Sequence, residues 1–226
     1  MEFLERIFLN EILFFFHILV VISFVFLALR LGKGALIALI ALQGVFANLF
    51  VIKQMTLFEF SVTCSDVFAI GAILSLNLLQ EYFGKETAKQ AVKISFLSLL
   101  FFVVLSQVHL LYTPNQSDTT QSAFETILSH SVRIVFASLA TFFIVQQFDV
   151  RFFGWFKGKL LIRVATSLVC SQLLDTILFS LFGLYGIVES VIDIMIVSFF
   201  IKCMIIFTSS PFVAFSKRFV RHEVSV

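Results

Sequence analysis

Long apolar runs, separated by short polar connections, dominate the pattern along the chain. Seven of these runs have roughly the 17 to 25 residues that a helix needs to cross the hydrocarbon layer of a membrane. The third run is the least regular, because it opens with SVTCSD and ends at NLLQEYFG. The runs cover residues 12–31, 35–52, 62–81, 88–111, 131–149, 160–183 and 188–209. The pattern predicts an all-α, polytopic helical membrane protein with about seven transmembrane helices.

The connections between the runs are short, with one exception. Residues 113–130 read TPNQSDTTQSAFETILSH, a polar stretch that predicts a loop outside the membrane with one short surface helix. The apolar runs nearly fill the remaining length, which leaves no room for a second, soluble domain. We therefore expect a single integral membrane domain over residues 1–226.

The composition indicates an exterior that faces lipid. The chain is 60% hydrophobic and only 13% charged, with 32 Phe among its 226 residues. A soluble domain has about 25% charged residues, so this chain lacks the charges to cover its exterior with solvated groups. The sequence shows no basic stripe with interleaved aromatic residues, which argues against nucleic acid as a partner. Membrane lipid is the expected surrounding instead.

Lysine and arginine are distributed in a way that orients the chain, because cytoplasmic connections are enriched in these residues. The connection after the second run holds only Lys53, and those after the fourth and sixth runs hold no basic residue. The connections after the odd-numbered runs hold Arg30, Lys33, Lys85, Lys89, Lys93, Arg151, Lys157, Lys159, Lys217, Arg218 and Arg221. This alternation predicts seven spans with the N-terminus outside and the C-terminus in the cytoplasm.

The sixth run carries the richest polar pattern. Arg163, Ser167, Ser171 and Asp175 recur every four residues, and Gln172 lies three residues before Asp175. Helical spacing places all of them on one broad face. Ionisable groups at membrane depth are costly and mark a functional site by default. Two interpretations stay open at this point: a substrate-binding face, or hydrogen bonds that hold helices together.

Other runs contain isolated polar positions. Asn77 and Glu81 lie one turn apart in the third run, where Glu81 either contacts a ligand or simply ends the span. Asn48, beside small residues in QGVFANLF, is a helix-packing group or a ligand contact. Lys202 lies well inside the seventh run, where a buried carboxylate is its natural partner. Asp66 is expected at the membrane interface.

Catalytic motifs are poorly represented in this sequence. It contains no HExxH, no GxSxG and no glycine-rich phosphate loop, and its four histidines are scattered. We therefore expect no catalytic residue, no cofactor and no metal, and a protein that is not an enzyme. An intramembrane hydrolase that uses Ser167 or Ser171 is the alternative of a different class. Amides and carboxylates in several spans instead indicate a transporter for a small polar solute.

Several stretches, taken together, resemble the queuosine precursor transporter family of bacterial inner-membrane proteins. They are GKGALIALIALQGVFANLFVIK (32–53), NLLQEYFGKETAKQAV (77–92), RIVFASL (133–139), QQFDVRFF (146–153) and RVATSLVCSQLLDTILF (163–179), followed by Lys202 and Pro211. The resemblance spans roughly residues 32 to 215. It implies a six-helix family core, to which residues 12–31 add an N-terminal helix. The family is also similar to the membrane substrate-binding subunits of energy-coupling-factor vitamin transporters.

The resemblance implies uptake, across the bacterial inner membrane, of a 7-deazaguanine precursor of the tRNA base queuosine, such as the aminomethyl form or queuine. A carboxylate can accept the ring N–H and amino group of this purine-like small molecule as a pair, and a second carboxylate suits its cationic amine. A Phe is expected to stack on the ring. The substrate-binding residues that we assign on this basis are the carboxylates Asp175 and Glu81 and the amides Gln172, Asn77 and Asn48.

Four further matches to the family are expected to position helices through ion pairs: Arg133, Asp149, Arg163 and Lys202. One departure concerns Asn77, since many family members carry Asp there. Because an amide replaces a carboxylate at this position, the sequence does not specify which precursor is preferred or whether protons are coupled to transport. The sequence also does not decide between a monomer and a homodimer, or between an independent transporter and a substrate-binding subunit that needs an ATPase partner.

Overall fold

The computed structural model describes residues 2–51, 53–129, 132–186 and 191–220, and helices dominate these ranges. A π-helical turn over Ser180–Leu184 and a 3₁₀ segment over Ser210–Arg218 continue the last two helices. The α-helices in the described ranges are α1 Glu2–Leu31, α2 Lys33–Leu49, α3 Asp66–Phe83, α4 Lys85–Leu110, α5 Gln121–Leu128, α6 Val132–Trp155, α7 Leu160–Phe179 and α8 Val191–Ser209. The predicted helical class is confirmed.

Five of the described helical segments are long and apolar enough to cross a membrane, and α2 is an apolar but shorter helix of 17 residues. The five are Leu9–Leu31, Lys85–Leu110, Arg133–Trp155, Leu160–Leu184 and Ile194–Arg218. The protein is therefore a multi-pass helical membrane protein, whereas the count of seven spans stays a prediction. The short helix predicted within residues 113–130 is α5. The start of the seventh predicted run, at residue 188, lies outside the described residues.

The third predicted span begins too early. Two short strands, β1 Gln54–Leu57 and β2 Phe60–Thr63, form an antiparallel hairpin, and α3 begins only at Asp66. The β2 stretch alternates apolar and polar residues, and its Val and Thr are β-branched, so an extended conformation is favoured. A run of apolar residues cannot by itself distinguish such a strand from the start of a helix. The all-α description therefore needs this correction.

The hairpin turn holds two residues with side chains in the left-handed region of backbone conformation. Leu57 pairs with Phe60 across the strands, so Phe58 and Glu59 form a two-residue loop. Their φ angles are 49° and 69°. Loops of this kind favour Asn-Gly, because most other residues are strained at positive φ. The turn therefore stores backbone strain.

We expect the double substitution Phe58→Asn with Glu59→Gly to relieve this strain and raise the free energy of unfolding by about 1–2 kcal/mol. The thermal denaturation midpoint of the purified protein in detergent measures the change. Glu59→Gly alone should give part of the increase. An unchanged midpoint in the double variant would contradict the strain.

The hairpin is held against α1 by two hydrogen bonds. The backbone N–H of Phe58 donates to Glu11 Oε1 over 2.9 Å. Asn10 Nδ2 donates to the carbonyl of Thr56 over 3.0 Å. Both contacts join residues far apart in sequence, so they fix the hairpin at the end of the bundle where α1 begins.

The most deeply buried helix is α3, which packs against α1, α2, α4, α6, α7 and α8. Gly71 allows its close approach to α1 and α2. A Cβ at this position would clash with Gln43 Oε1 and would meet Val21 Cγ1 at 2.6 Å. Because α3 runs through the centre of the bundle, its polar residues meet several other helices at different depths.

The end of the bundle opposite the hairpin is closed by polar contacts. Glu81, near the end of α3, pairs with Arg163 near the start of α7, with 2.7 Å between Oε2 and Nη1. Tyr82 shares a hydrogen bond of 2.7 Å with Ser216 in the 3₁₀ segment. Gln80 Nε2 donates to the carbonyl of Val150 over 3.0 Å. We call this the basic end, because the lysine-rich start of α4, the lysines just before α7 and the Lys217–Arg218 pair lie on this side.

Candidate substrate cavity

A cavity of about 360 Å³ lies in the half of the bundle that carries the hairpin. Its walls come from the end of α2, the start of α3, the first half of α6, the second half of α7, the π-helical turn, α8 and strand β2. The volume falls within the range of roughly 300–1,000 Å³ that is typical of small-molecule sites. The cavity is thus large enough for a ligand of the size of a substituted purine.

An ion-pair cluster lies on the wall formed by α3, α7 and α8. Lys202 Nζ lies 2.6 Å from Asp175 Oδ2 and 3.8 Å from Asp66 Oδ1, and it also donates to Thr176 Oγ1 over 3.1 Å. The Lys202 side chain is buried, whereas the side chains of Asp175 and Asp66 are 24% and 12% exposed. Asp175 is therefore the carboxylate that a solute in the cavity can reach most easily.

The cluster sets the formal charge of the cavity. Asp66, Asp175 and Lys202 are the charged residues of its described lining. Two carboxylates and one ammonium give a formal charge of −1. A low-dielectric wall strengthens the field of such a charge. The cavity therefore favours a cation over a neutral or anionic solute.

Amides and a hydroxyl on the wall have unused hydrogen-bonding capacity. Both side-chain polar atoms of Gln146, Oε1 of Gln172 and Oγ1 of Thr141 are buried without a hydrogen-bond partner in the described part of the chain. All these residues line the cavity. Buried polar atoms are nearly always paired with protein or water. Unpaired atoms beside a cavity therefore indicate groups that bind water or a ligand there.

Asn48 lines the same cavity but already has two contacts. Its Oδ1 accepts a hydrogen bond of 2.5 Å from Ser138 Oγ, and its Nδ2 donates to the carbonyl of Gly44 over 3.1 Å. The first contact joins α2 to α6, so Asn48 packs helices together. One N–H of the amide is left for a ligand, which means that both interpretations of this residue remain compatible with its position.

Aromatic rings supply apolar surface in the cavity. Phe60 from β2, Phe142 from α6 and Phe179 from α7 belong to its lining. Gly44 makes room for one of them, since a Cβ there would meet Phe142 Cζ at 2.8 Å. A planar heterocycle can stack on rings of this kind. The lining therefore combines apolar faces with a few polar groups, as small-molecule sites do.

Two of the predicted substrate contacts lie away from the cavity. Glu81 forms its ion pair with Arg163 at the basic end, where the guanidinium also stacks on the Phe153 ring at 4.4 Å. Asn77 is buried in the middle of the bundle next to Asp149. Both residues share a face of α3, but they lie several turns beyond Asp66, the α3 carboxylate that lines the cavity.

The four residues predicted to form positioning ion pairs divide into two groups. Arg163 and Lys202 pair with carboxylates, as described above. Arg133 instead donates from Nε to the carbonyl of Phe182 over 2.8 Å and from Nη2 to that of Tyr185 over 2.7 Å. Asp149 forms no ion pair in the described ranges and accepts hydrogen bonds from hydroxyl groups instead.

Three of the polar cavity residues described above were not among the predicted contacts. Asp66 lies near the start of an apolar run, which predicts a side chain at the membrane interface. In the structure the residue is buried, with 8% of its surface exposed. Gln146 precedes Asp149 by three residues within an apolar helix, a spacing that gives a recognisable signal. Thr141 carries no comparable signal, because a single Thr is common in membrane helices.

A bundle of apolar helices around a cavity with a few polar groups is typical of a multi-pass membrane protein with room for a small solute. The sequence comparisons specify this class further: residues 63–216 match the family model described as "Putative vitamin uptake transporter", and the chain belongs to this family. The chain is also 29% identical to the "Probable queuosine precursor transporter" of Bacillus subtilis (strain 168) over 222 residues, which is 95% of this chain and 97% of that protein. No solved structure matches the chain. The predicted family relationship is confirmed, and the chain is a membrane transporter by family.

Proposed function

We propose that this protein takes up a cationic 7-deazaguanine precursor of queuosine, such as the aminomethyl form or queuine, across the bacterial inner membrane. The observation that carries this proposal is the cavity with a formal charge of −1, where the accessible Asp175 carboxylate lies among unpaired amide groups. The relative from Bacillus subtilis, which carries the queuosine precursor name, supports the choice of substrate. We further propose seven spans that form one transport domain.

The proposed substrate and the lining are chemically complementary. The Asp175 carboxylate suits the ring N–H and amino group of a deazaguanine, since it can accept two parallel hydrogen bonds. The free amides of Gln146 and Gln172 suit the ring carbonyl and the remaining ring nitrogen. Phe142 and Phe179 offer faces for stacking. The amine adds one positive charge, which brings the loaded cavity to neutrality.

Asp66 has a separate role in this proposal. Lys202 lies closer to Asp175 than to Asp66, with distances of 2.6 Å and 3.8 Å. When the substrate binds Asp175, the ammonium of Lys202 has a second carboxylate within a short movement. Asp66 thus keeps the lysine paired while Asp175 exchanges one partner for another, so that no buried charge is left alone.

We expect Asp66→Asn to raise the KM for uptake about five- to tenfold, because Lys202 then competes with the substrate for Asp175 and the cavity loses its net charge. The maximal rate should change much less. The concentration dependence of initial uptake separates the two parameters. Asp118→Asn, the same chemical change in the exposed connection before α5, serves as the control and should leave KM unchanged. An unaltered KM in Asp66→Asn would remove this residue from the proposed exchange.

The distribution of contacts supports alternating access, with the cavity facing the outside in this conformation. The hairpin half holds the cavity, while ion pairs and hydrogen bonds close the basic end. Basic residues favour the cytoplasmic side of a membrane. On this basis we propose that the C-terminus lies in the cytoplasm and that the Glu81–Arg163 pair belongs to the inner closure.

The proposal is tested by complementation in a bacterium that lacks both queuosine synthesis and its own importer. Expression of this chain should restore queuosine in tRNA when the aminomethyl precursor or queuine is supplied, and a precursor without an amine should be used less well. Queuosine is quantified in hydrolysed tRNA by mass spectrometry. No restoration with any precursor, despite protein in the membrane fraction, would refute the proposed substrate class.

Two alternative functions are an intramembrane hydrolase and a substrate-binding subunit that needs an ATPase partner. Ser167 and Ser171 are fully buried and donate to Asp149, an arrangement that does not favour a hydrolase, because neither hydroxyl faces the cavity. A substrate-binding subunit that needs an ATPase would co-purify with that partner after mild detergent extraction. Uptake by the purified chain alone in vesicles would instead favour an independent transporter.

A further inference from the structure

Asp149 on α6 is a fully buried carboxyl group that has no cationic partner in the described ranges. Its Oδ1 accepts hydrogen bonds from Ser167 Oγ over 2.5 Å and from Ser171 Oγ over 2.8 Å. Its Oδ2 is buried and has no hydrogen-bond partner among the described residues. Asn77 lies beside the carboxyl group. This polar cluster, Asp149 with Ser167, Ser171 and Asn77, lies outside the cavity lining.

Within the described part of the chain, the elements around Asp149 present no unpaired charge to it. From α7 it faces the two serines, and the ionised groups nearest to them along that helix are Arg163, which pairs with Glu81, and Asp175, which pairs with Lys202. From α3 it faces the Asn77 amide. The π-helical turn, with the sequence SLFGL, has no titratable residue. On α4 the titratable residues are Lys85, Glu86, Lys89, Lys93 and His109, all in the first three turns or the last turn of the helix. Lys85 approaches α6 at Gly154 instead, beyond Asp149 toward the basic end.

This environment fits a carboxylic acid better than a carboxylate. An ionised carboxylate without water and without a cation is costly, and both of its oxygens need donors. Here one oxygen has two donors and the other has none. If Oδ2 carries a proton, it becomes a donor itself, and the neighbouring Asn77 oxygen is an acceptor within the same cluster. The unpaired Oδ2 of Asp149 and the unpaired Oδ1 of Asn77 are then accounted for together.

The position of the cluster connects the cavity with the basic end. Gln146, which lines the cavity, lies three residues before Asp149 on α6, and Gln172, which also lines it, directly follows Ser171 on α7. On the opposite side, Ser167 lies one helical turn after Arg163, whose partner Glu81 belongs to the basic end. Polar side chains therefore occur at successive levels of α6 and α7, from the cavity past Asp149 to the contacts that close the other end of the bundle.

We propose that Asp149 is a proton-binding site that couples substrate uptake to inward proton movement. This inference rests on the proposed uptake function. Water in the cavity delivers a proton to Asp149 through the neighbourhood of Gln146 and Gln172, and an O–H bond forms at Oδ2. When the basic end opens, that bond breaks and the proton leaves toward the cytoplasm. One proton crosses in each cycle, and the carboxylate accepts the next proton after the protein has returned to its outward-facing form.

The test uses the full chain in proteoliposomes, with radiolabelled 7-aminomethyl-7-deazaguanine as the probe. Two driving forces are applied separately: a pH gradient, acid outside, with the membrane potential held at zero by potassium and valinomycin, and a potassium diffusion potential without a pH gradient. Passive distribution of an amine favours the acidic compartment, which here is outside. With one proton per substrate, a gradient of one pH unit supports about tenfold accumulation inside.

For the wild type we expect about tenfold accumulation with the pH gradient alone. In Asp149→Asn, which keeps a side-chain oxygen for the two serines, accumulation with the pH gradient should fall to a ratio of about one. Exchange of labelled for unlabelled substrate should remain measurable, because it needs no net proton movement. The control variant Asp118→Asn should keep both activities. This separation of exchange from accumulation is not expected of a residue that only stabilises the fold.

Accumulation by Asp149→Asn at the wild-type ratio would overturn the proposal, and so would wild-type accumulation that responds to the potential but not to the pH gradient. If the wild type shows no exchange with this probe, the proposed substrate fails instead, so the two failures are distinguishable. If Asp149→Asn does not fold, a pH-sensitive dye trapped in vesicles with the wild-type protein tests the coupling. Acidification of the interior on addition of substrate supports the coupling, and an unchanged interior pH overturns it.

Discussion

Asp175→Asn is expected to lower initial uptake of the aminomethyl precursor at least 100-fold or so, since two charge-assisted hydrogen bonds of about 1.5–3 kcal/mol each are lost or weakened. The asparagine keeps one acceptor but turns an NH₂ donor toward a substrate edge that also donates. The cavity also loses its net negative charge. Uptake of labelled precursor into cells, normalised to the amount of the protein in the membrane, measures the effect.

The matched control for this variant is Asp66→Asn, which removes the same charge from the same cluster. If the net charge alone governs uptake, the two variants will be equally impaired. If Asp175 contacts the substrate, its variant will be far more impaired than that of Asp66, although Lys202 keeps a carboxylate partner in each case. Full uptake by Asp175→Asn would exclude this carboxylate from the substrate site.

Lys202→Met is expected to destabilise the protein by about 3–5 kcal/mol, because it leaves two carboxylates in one partly buried wall without a cation. The methionine side chain is of similar length, so loss of packing contributes little. The expected result is a strong drop in the thermal denaturation midpoint in detergent and in the yield of monodisperse protein. Lys202 is 4% exposed, which means that water cannot replace its charge at this position.

The double variant Lys202→Met with Asp66→Asn distinguishes charge from packing. It restores a formal charge of −1, carried by Asp175, the more exposed of the two carboxylates. Most of the lost stability should return, and part of the uptake should return with it. A double variant that is as unstable as Lys202→Met would mean that the lysine acts through its packing and its bond to Thr176 rather than through its charge.

The sequence allowed the helical membrane class and the polar face of α7 to be predicted, because both depend on spacing within one helix. Gln172 and Asp175 occur on the cavity wall, and Lys202 on α8 lies against Asp175. Spacing within a helix does not specify the depth at which two helices meet. Glu81 lies 15 residues after Asp66 on α3, a distance of about 22 Å along a helix. It therefore reaches the opposite end of the bundle.

The hairpin was missed for a related reason. Hydropathy follows the number of apolar residues and not the direction of the backbone, so the predicted third span, 62–81, includes the last two residues of strand β2. Their strand is stabilised by pairing with β1 and by contacts to α1 that no local pattern reveals. The environment of Asp149 could not be predicted from the sequence either, because its serine partners come from another helix. An ion pair is the simpler expectation for a buried carboxylate.

The contact between Arg133 and the π-helical turn has a consequence for how this region can evolve. Both acceptors are backbone carbonyls, of Phe182 and Tyr185, and every amino acid supplies such a group. Substitutions at these positions therefore leave the acceptors in place. Deletion of one residue from 180–184 would replace the π-helical turn by α-helical geometry and change the spacing of the two carbonyls that the guanidinium contacts. Homologous chains that keep this arginine are thus expected to differ freely in the residue types of this segment but to share its length.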